Sequence, residues 1–218
     1  MNIQFWSPVL LSLQTAAVAL IIVVILGVLL AKWLIAKNFK GKIIVETFLL
    51  LPLVLPPTVV GFLLIIIFGR NSWIGSSLEQ LLGQPLMFTW PAAVIAASVV
   101  AFPMMYQSAK TGFLSVDKGA EEASRIDGAS EWQVFLFITL PLSIKALTAG
   151  VILSFARALG EFGATLMFAG NLPGKTQTMP TAIYVAFESG NMELAWLWVS
   201  VIMVISFFML LATRFLHS

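Results

Sequence analysis

The chain alternates long apolar runs with short polar ones, and the apolar runs are of bilayer length. The first runs from about Val9 to Ala31 and closes on KWLIAKNFKGK. The second, about Phe48 to Phe68, is followed by GRNSWIGSSLEQLLGQ, which reads as a polar turn. The third covers about Trp90 to Tyr106 with an aromatic residue near each end, the fourth about Leu142 to Phe168, and the fifth about Leu194 to Leu216 with Trp196 and Trp198 at its outer end. A helix needs roughly 20 apolar residues to cross the hydrocarbon core, so the pattern predicts an all-α integral membrane protein with about five transmembrane helices. The opening MNIQFWSP lacks the basic start of a signal peptide, and the apolar run behind it is too long for one; a retained first helix is expected.

Composition agrees. Of 218 residues, 60% are hydrophobic and 10% charged, with mean hydropathy +1.00, whereas soluble domains carry about 25% charged residues. Residues 1–218 are therefore expected to form a single transmembrane domain in contact with membrane lipid. Charge placement orients it. Lys32, Lys37, Lys40 and Lys42 form the densest basic cluster, and placing that loop in the cytoplasm also puts Lys110, Lys118, Arg125, Lys145 and Arg214 inside, leaving Arg70 and Lys175 outside. The expected topology is N-terminus out, C-terminus in. A net charge of +2 gives no reason to expect nucleic acid as a partner. With no cysteine and one histidine, His217, near the end of the chain, there is no thiolate metal site and zinc chemistry is not expected; an intramembrane protease lacks its serine with histidine, or its pair of aspartates, within the spans.

Three spans are irregular. LPLVLPPTVVG puts Pro52, Pro56, Pro57 and Gly61 inside the second, where each proline removes a backbone donor. Broken helices persist at membrane depth where protein or a water-filled cavity satisfies the freed carbonyls, so this segment faces either a packed interior or a solute path. In the third, Pro91 suits a first-turn position and Pro103 is expected to bend the cytoplasmic end. In the fourth, FARALGEFGA sets Arg157 and Glu161 one turn apart, flanked by Gly160 and Gly163. Intramembrane charges default to a functional site; a self-neutralising pair and contact with a passing solute both remain open. If a solute path exists, its expected lining is Pro56, Pro57 and Gly61 with Arg157, Glu161, Gly163 and Thr165, and Lys175 lies on the outer side.

One polar island interrupts the apolar chain, in the inside loop at about 109–141. SVDKGAEEASRIDGASEWQ reads as two short helices joined by a turn. Asp117 is the expected N-cap, Glu121 and Glu122 complement the helix dipole, and Gly128 takes a left-handed position. Ser130 with Gln133 forms a capping box for the next helix. Small residues Ala120, Ala123 and Ser124 beside charged ones suit a helix that inserts a narrow face into another protein, and a solvated loop would share that composition.

This loop resembles the cytoplasmic motif of the permeases of ATP-binding-cassette (ABC) importers: EAA, three residues, G, nine residues, I, one residue, LP. Glu122-Ala123-Ser124, Gly128, Ile138 and Leu140-Pro141 fall at those spacings, with Ser124 for the second alanine; Lys118 stands where relatives often have proline. The resemblance implies the type I importer permease fold. It also implies that Ala120, Glu122, Ala123, Ser124, Gly128, Ile138, Leu140 and Pro141 belong to a coupling helix and its exit, docking on a separate ATPase. The chain has no G-x-x-x-x-G-K-[ST] loop, so no cofactor is expected in it and ATP with magnesium is expected on that partner. Two permease copies in a homodimer, or two related permeases, with two ATPase subunits and an external substrate-binding protein are implied, in a prokaryotic cell membrane. The segments KGKIIVETFLLLPLVLPPTVVGFLLIIIFG and FARALGEFGATLMFAGNLPGKTQTMPTAIY look like molybdate permeases; sulfate/thiosulfate permeases share parts of both, and tungstate is not separable from molybdate. On composition alone, a stand-alone channel or secondary transporter is the alternative.

Overall fold

A computed structural model describes the backbone of residues 2–217 and the side chains of 5–212, so the side chains of Arg214 and His217 lie outside the described residues. The first apolar run becomes α1 (Asn2–Ala36), longer than its pattern at both ends. It includes Lys32, expected in the loop, because Ala31 and Leu34 are fully buried against the bundle and extend the helix past the apolar run. The second span is α2 (Lys42–Val54) and α3 (Pro57–Phe68), broken at Leu55 and Pro56. Pro57 begins α3, where the missing N–H has no intrahelical partner to lose.

The segment read as a polar turn is instead a helix, α4 (Trp73–Leu82), set at 70° to α3. Ser72 caps it, its Oγ accepting from the Gly75 amide at 2.8 Å, and left-handed Gly83 ends it. Both end signals are present in the sequence; the polar content of the stretch masks them.

Next comes α5 (Trp90–Leu114), with Pro91 in its first turn as expected. It passes through Pro103 and Tyr106 without ending, about two turns beyond the expected limit. It is the central helix: fourteen of its residues are buried, many of them alanine, which lets α1 and α9 (Ile144–Leu159) approach closely. Between α5 and α9 lie α6 (Lys118–Ile126), α7 (Glu131–Val134), a π-helical turn over Phe135–Thr139 and the short α8 (Leu140–Leu142). The chain then bends by 73° into α9.

The fourth span is not one helix. It breaks at Gly160-Glu161-Phe162 and resumes as α10 (Gly163–Ala169), so Arg157 and Glu161 are not successive turns of a continuous helix. After a loop come α11 (Met179–Glu188) and α12 (Met192–His217). One buried cluster joins α1, α5, α9, α11 and α12, and a second joins α3, α5 and α10. Polar ties fix the first cluster: Trp90 Nε1 donates to Thr15 Oγ1 at 3.0 Å, the Met179 amide to Ser12 Oγ at 2.7 Å, and Trp198 Nε1 to the Phe5 carbonyl at 3.0 Å. By length and composition, Phe5–Ala36, Trp90–Leu114 and Met192–Ala212 can each cross a membrane; two bent pairs, α3 with α4 and Glu131–Leu142 with α9, bring the number to five.

Candidate functional site

The polar island folds as its local signals dictate. Asp117 Oδ1 accepts from the Gly119 amide at 3.0 Å and starts α6. Gly128 ends the following turn at φ +91°, and the Ala129 amide returns to the Ser124 carbonyl at 3.0 Å. The capping box forms: the Ser130 amide donates to Gln133 Oε1 at 2.8 Å and the Gln133 amide to Ser130 Oγ at 3.4 Å. None of the residues of α6 is buried. Glu122, Ala123, Gly128 and Pro141 are exposed, while Ala120, Ser124, Ile138 and Leu140 are half-buried.

Residues spaced far apart in the motif meet in space. Ser124, Gly128 and Ile138 line one open depression with Asp127, Gln133 and Phe137. Ile138 reaches it from the π-helical turn, a geometry that recurs at functional positions. Beside it Ile126 is 86% exposed. The helix thus carries an uncovered isoleucine at the end next to that depression.

Polar contacts attach α6 to the body, and they involve Thr139 and Glu131, to which no role was expected. Thr139 Oγ1 donates to Glu121 Oε1 at 2.6 Å. Arg125 forks onto both oxygens of Glu131, at 2.7 and 3.2 Å, and lies 3.5 Å from Glu121. This charge-assisted pairing holds the Glu131 carboxyl below its ordinary pKa and raises that of Arg125 further. The Glu121–Arg125 spacing of four is a visible signal; Thr139, eighteen residues away, carries none.

The second candidate region is the pair of breaks, which the fold brings face to face. A Cβ added at Gly61 of α3 would lie 2.7 Å from Met167 Cβ and 3.0 Å from Ala164 Cα, and one at Gly163 would lie 3.0 Å from Pro57 Cβ. These glycines serve a close helix contact. Glu161 is 2% exposed; its Oε2 accepts from Arg157 Nη1 at 2.7 Å and its Oε1 from the Ala164 amide at 2.8 Å. It therefore satisfies one free amide at the start of α10 as well as the guanidinium. Of the residues expected to line a path, Gly61, Glu161, Gly163 and Thr165 are buried within the chain, and only Pro56 and Pro57 are exposed, with Arg157 half-buried. Gly61 and Gly163 there allow the close packing of α3 on α10.

Lys175 is exposed, on the loop before α11. Gly174-Lys175-Thr176 has the letters of a phosphate loop but closes on itself: the amides of Lys175, Thr176 and Gln177 all donate to the Leu172 carbonyl, at 3.0, 2.9 and 3.1 Å. A cavity of about 750 Å³ opens between the α3–α4 turn and the segment before α5, with Arg70, Asn71, Ser72, Met87 and Phe88 on its walls.

Residues 23–218 match the binding-protein-dependent transport system inner membrane component. The chain belongs to this family. YvgM of Bacillus subtilis (strain 168), provisionally named a molybdenum transport system permease protein, is 61% identical over 207 residues, 95% of this chain and 91% of that one. The molybdenum transport system permease protein ModB of Escherichia coli (strain K12) is 42% identical over 86% of this chain and 82% of its own. The sulfate transport system permease protein CysW of Synechococcus elongatus is more distant, 34% identical over 73% of this chain and 56% of its own. Among solved structures, the MetNI methionine ABC transporter in inward-facing form has a chain that superposes with TM-score 0.75 at 16% identity, covering 98% of this chain and 95% of that chain. A bacterial ABC transporter that imports the acidic polysaccharide alginate gives TM-score 0.77 at 17% identity, covering 98% and 80%. The fold is that of the type I ABC importer permeases, and the permease is a multi-pass membrane protein.

Proposed function

We propose that the permease carries molybdate, or tungstate of the same shape and charge, across the plasma membrane of a prokaryotic cell as the membrane-spanning part of an ATP-driven importer. The observation that carries the substrate is the 61% identity to YvgM across nearly the whole of both chains, against 34% over part of CysW. In this reading the loop between α5 and α9 is cytoplasmic, and α6 docks on an ATPase subunit that holds ATP and magnesium. Two copies of the permease face two such subunits, and an external binding protein delivers the anion. The exposed Glu122, Ala123 and Ile126 are the docking face; the depression holding Ser124, Gly128 and Ile138 is where that face meets the exit helix. The broken spans, packed together through Gly61 and Gly163, form a unit that moves as one between states.

The chain contributes no reacting group. Its work is to hold a path open to one side at a time, and a weakly binding path suits a dianion that must also leave. The test is reconstitution with the ATPase and the binding protein in proteoliposomes. Molybdate-loaded binding protein is expected to stimulate ATP hydrolysis and uptake; stimulation by sulfate alone would reassign the substrate, and uptake by the permease without an ATPase would sink the mechanism.

A further inference from the structure

Lys32 reaches out of α1 toward the exit of the α5–α9 loop, and nothing assigned so far uses it. Its ammonium nitrogen lies 3.5 Å from the centre of the Trp132 ring and 3.9 Å from that of Phe135. The two rings meet edge to face at 6.1 Å, and Phe135 meets Phe113 of α5 in the same way at 5.5 Å. Glu131, the neighbour of Trp132, interacts electrostatically with Lys32 and is held by Arg125, which also pairs with Glu121. Glu121 in turn accepts from Thr139.

These contacts form one chain from α6 to α1: Glu121, Arg125, Glu131, then Trp132 and Phe135, then Lys32. A half-open cavity of about 250 Å³ lies beside this chain of contacts, walled by Lys32, Phe113, Glu121, Arg125, Glu131 and Phe135. Phe135 is 5% exposed and opens the π-helical turn, whereas Trp132 is 58% exposed. The ammonium thus bridges a ring fixed in the bundle and a ring on the outer side of the loop. Ala31 and Leu34, on either side of Lys32, are buried with no accessible surface, so α1 is packed against the bundle at this point. A cation held over two aromatic faces resists separation in any direction that lifts the rings from it, and an ammonium partly shielded from water strengthens that attraction.

We propose that Lys32 is a positioning residue for energy coupling: through Trp132 and Phe135 it ties the docking loop to α1, so that displacement of α6 moves α1 rather than bending the loop. The inference rests on the importer reading above. Without the tie, α6 would still dock and ATP would still be hydrolysed, but part of each stroke would be absorbed by the α7 segment.

The test uses the full complex with its ATPase in proteoliposomes and measures ATP hydrolysed per molybdate imported. Lys32→Met keeps the length and apolar stem of the side chain and removes the cation. It is expected to raise that ratio by about threefold or more with unchanged complex yield, Lys32→Arg to restore it, and Lys32→Met combined with Trp132→Leu to be no worse than the poorer single variant. A normal ratio in Lys32→Met, or Lys32→Arg as defective as Lys32→Met, would overturn the proposal. So would a loss in which uptake and hydrolysis fall together with complex yield, since that is a structural defect. Failure of the importer reading looks different, because wild-type permease would then form no complex whose hydrolysis responds to the anion.

Discussion

Arg157 Nη1 donates to Glu161 Oε2 at 2.7 Å across the end of α9, and the carboxylate it neutralises is 2% exposed. The other oxygen of Glu161 holds the Ala164 amide, so the pair closes the break between two helices. Removing one charge alone strands the other. Arg157→Gln is expected to cost about 3 kcal/mol and to lower thermal stability and uptake. Arg157→Gln with Glu161→Gln should recover much of both, because a glutamine carbonyl still accepts from the Ala164 amide. Melting in detergent alongside uptake checks this; a double variant that assembles and melts normally yet imports nothing would assign Arg157 to the solute instead.

The contact between α3 and α10 gives a further expectation. At Gly61 an added methyl group meets the backbone of Ala164 at 3.0 Å, which cannot rotate away. Gly61→Ala should therefore push the two helices apart and destabilise the permease by about 1–3 kcal/mol. Unchanged melting would mean that α3 and α10 are not held at this distance.

Gly128 poses the opposite problem. It has φ +91° with nothing within 4 Å of an added Cβ, so backbone strain rather than space forbids a side chain. Gly128→Val should distort the turn and uncouple hydrolysis from uptake, Gly128→Asn should be far milder, and both should reach the membrane. Equal activity of the two variants would remove the left-handed turn from the coupling argument. Glu122→Ala, at an exposed position, is expected to weaken docking without affecting the fold.

Thr139 tests how firmly α6 is held. Thr139→Val deletes the donor to Glu121 and keeps the shape of the side chain. Amide exchange across Lys118–Ile126 should rise by about tenfold or more, for the loss of about 1.5–3 kcal/mol of charge-assisted hydrogen bonding, while the rest of the bundle is unchanged. Unaltered exchange would show that Arg125 and Glu131 hold the helix without it.

The first, third and fifth spans, the helix within the polar loop, its Asp117 and Ser130 caps and the turn at Gly128 are legible in the residues, because each depends on neighbours within a few positions and on the length of apolar runs. The helix at Trp73–Leu82 and the break after Leu159 are not: polar composition hides the helix, and an i,i+4 charge pair disguises the break as continuous helix. Local composition also settles which segment stays at the surface, since a short helix made mostly of small and charged residues has little apolar surface to bury. Which distant residues meet is decided only in three dimensions: Gly61 with Ala164, Thr139 with Glu121, Lys32 with Trp132 and Phe135. Helix packing sets those meetings. Inside an almost wholly apolar bundle, hydrophobicity scarcely distinguishes one helix face from another, and it is the close fit of small side chains together with a few polar ties that selects the register.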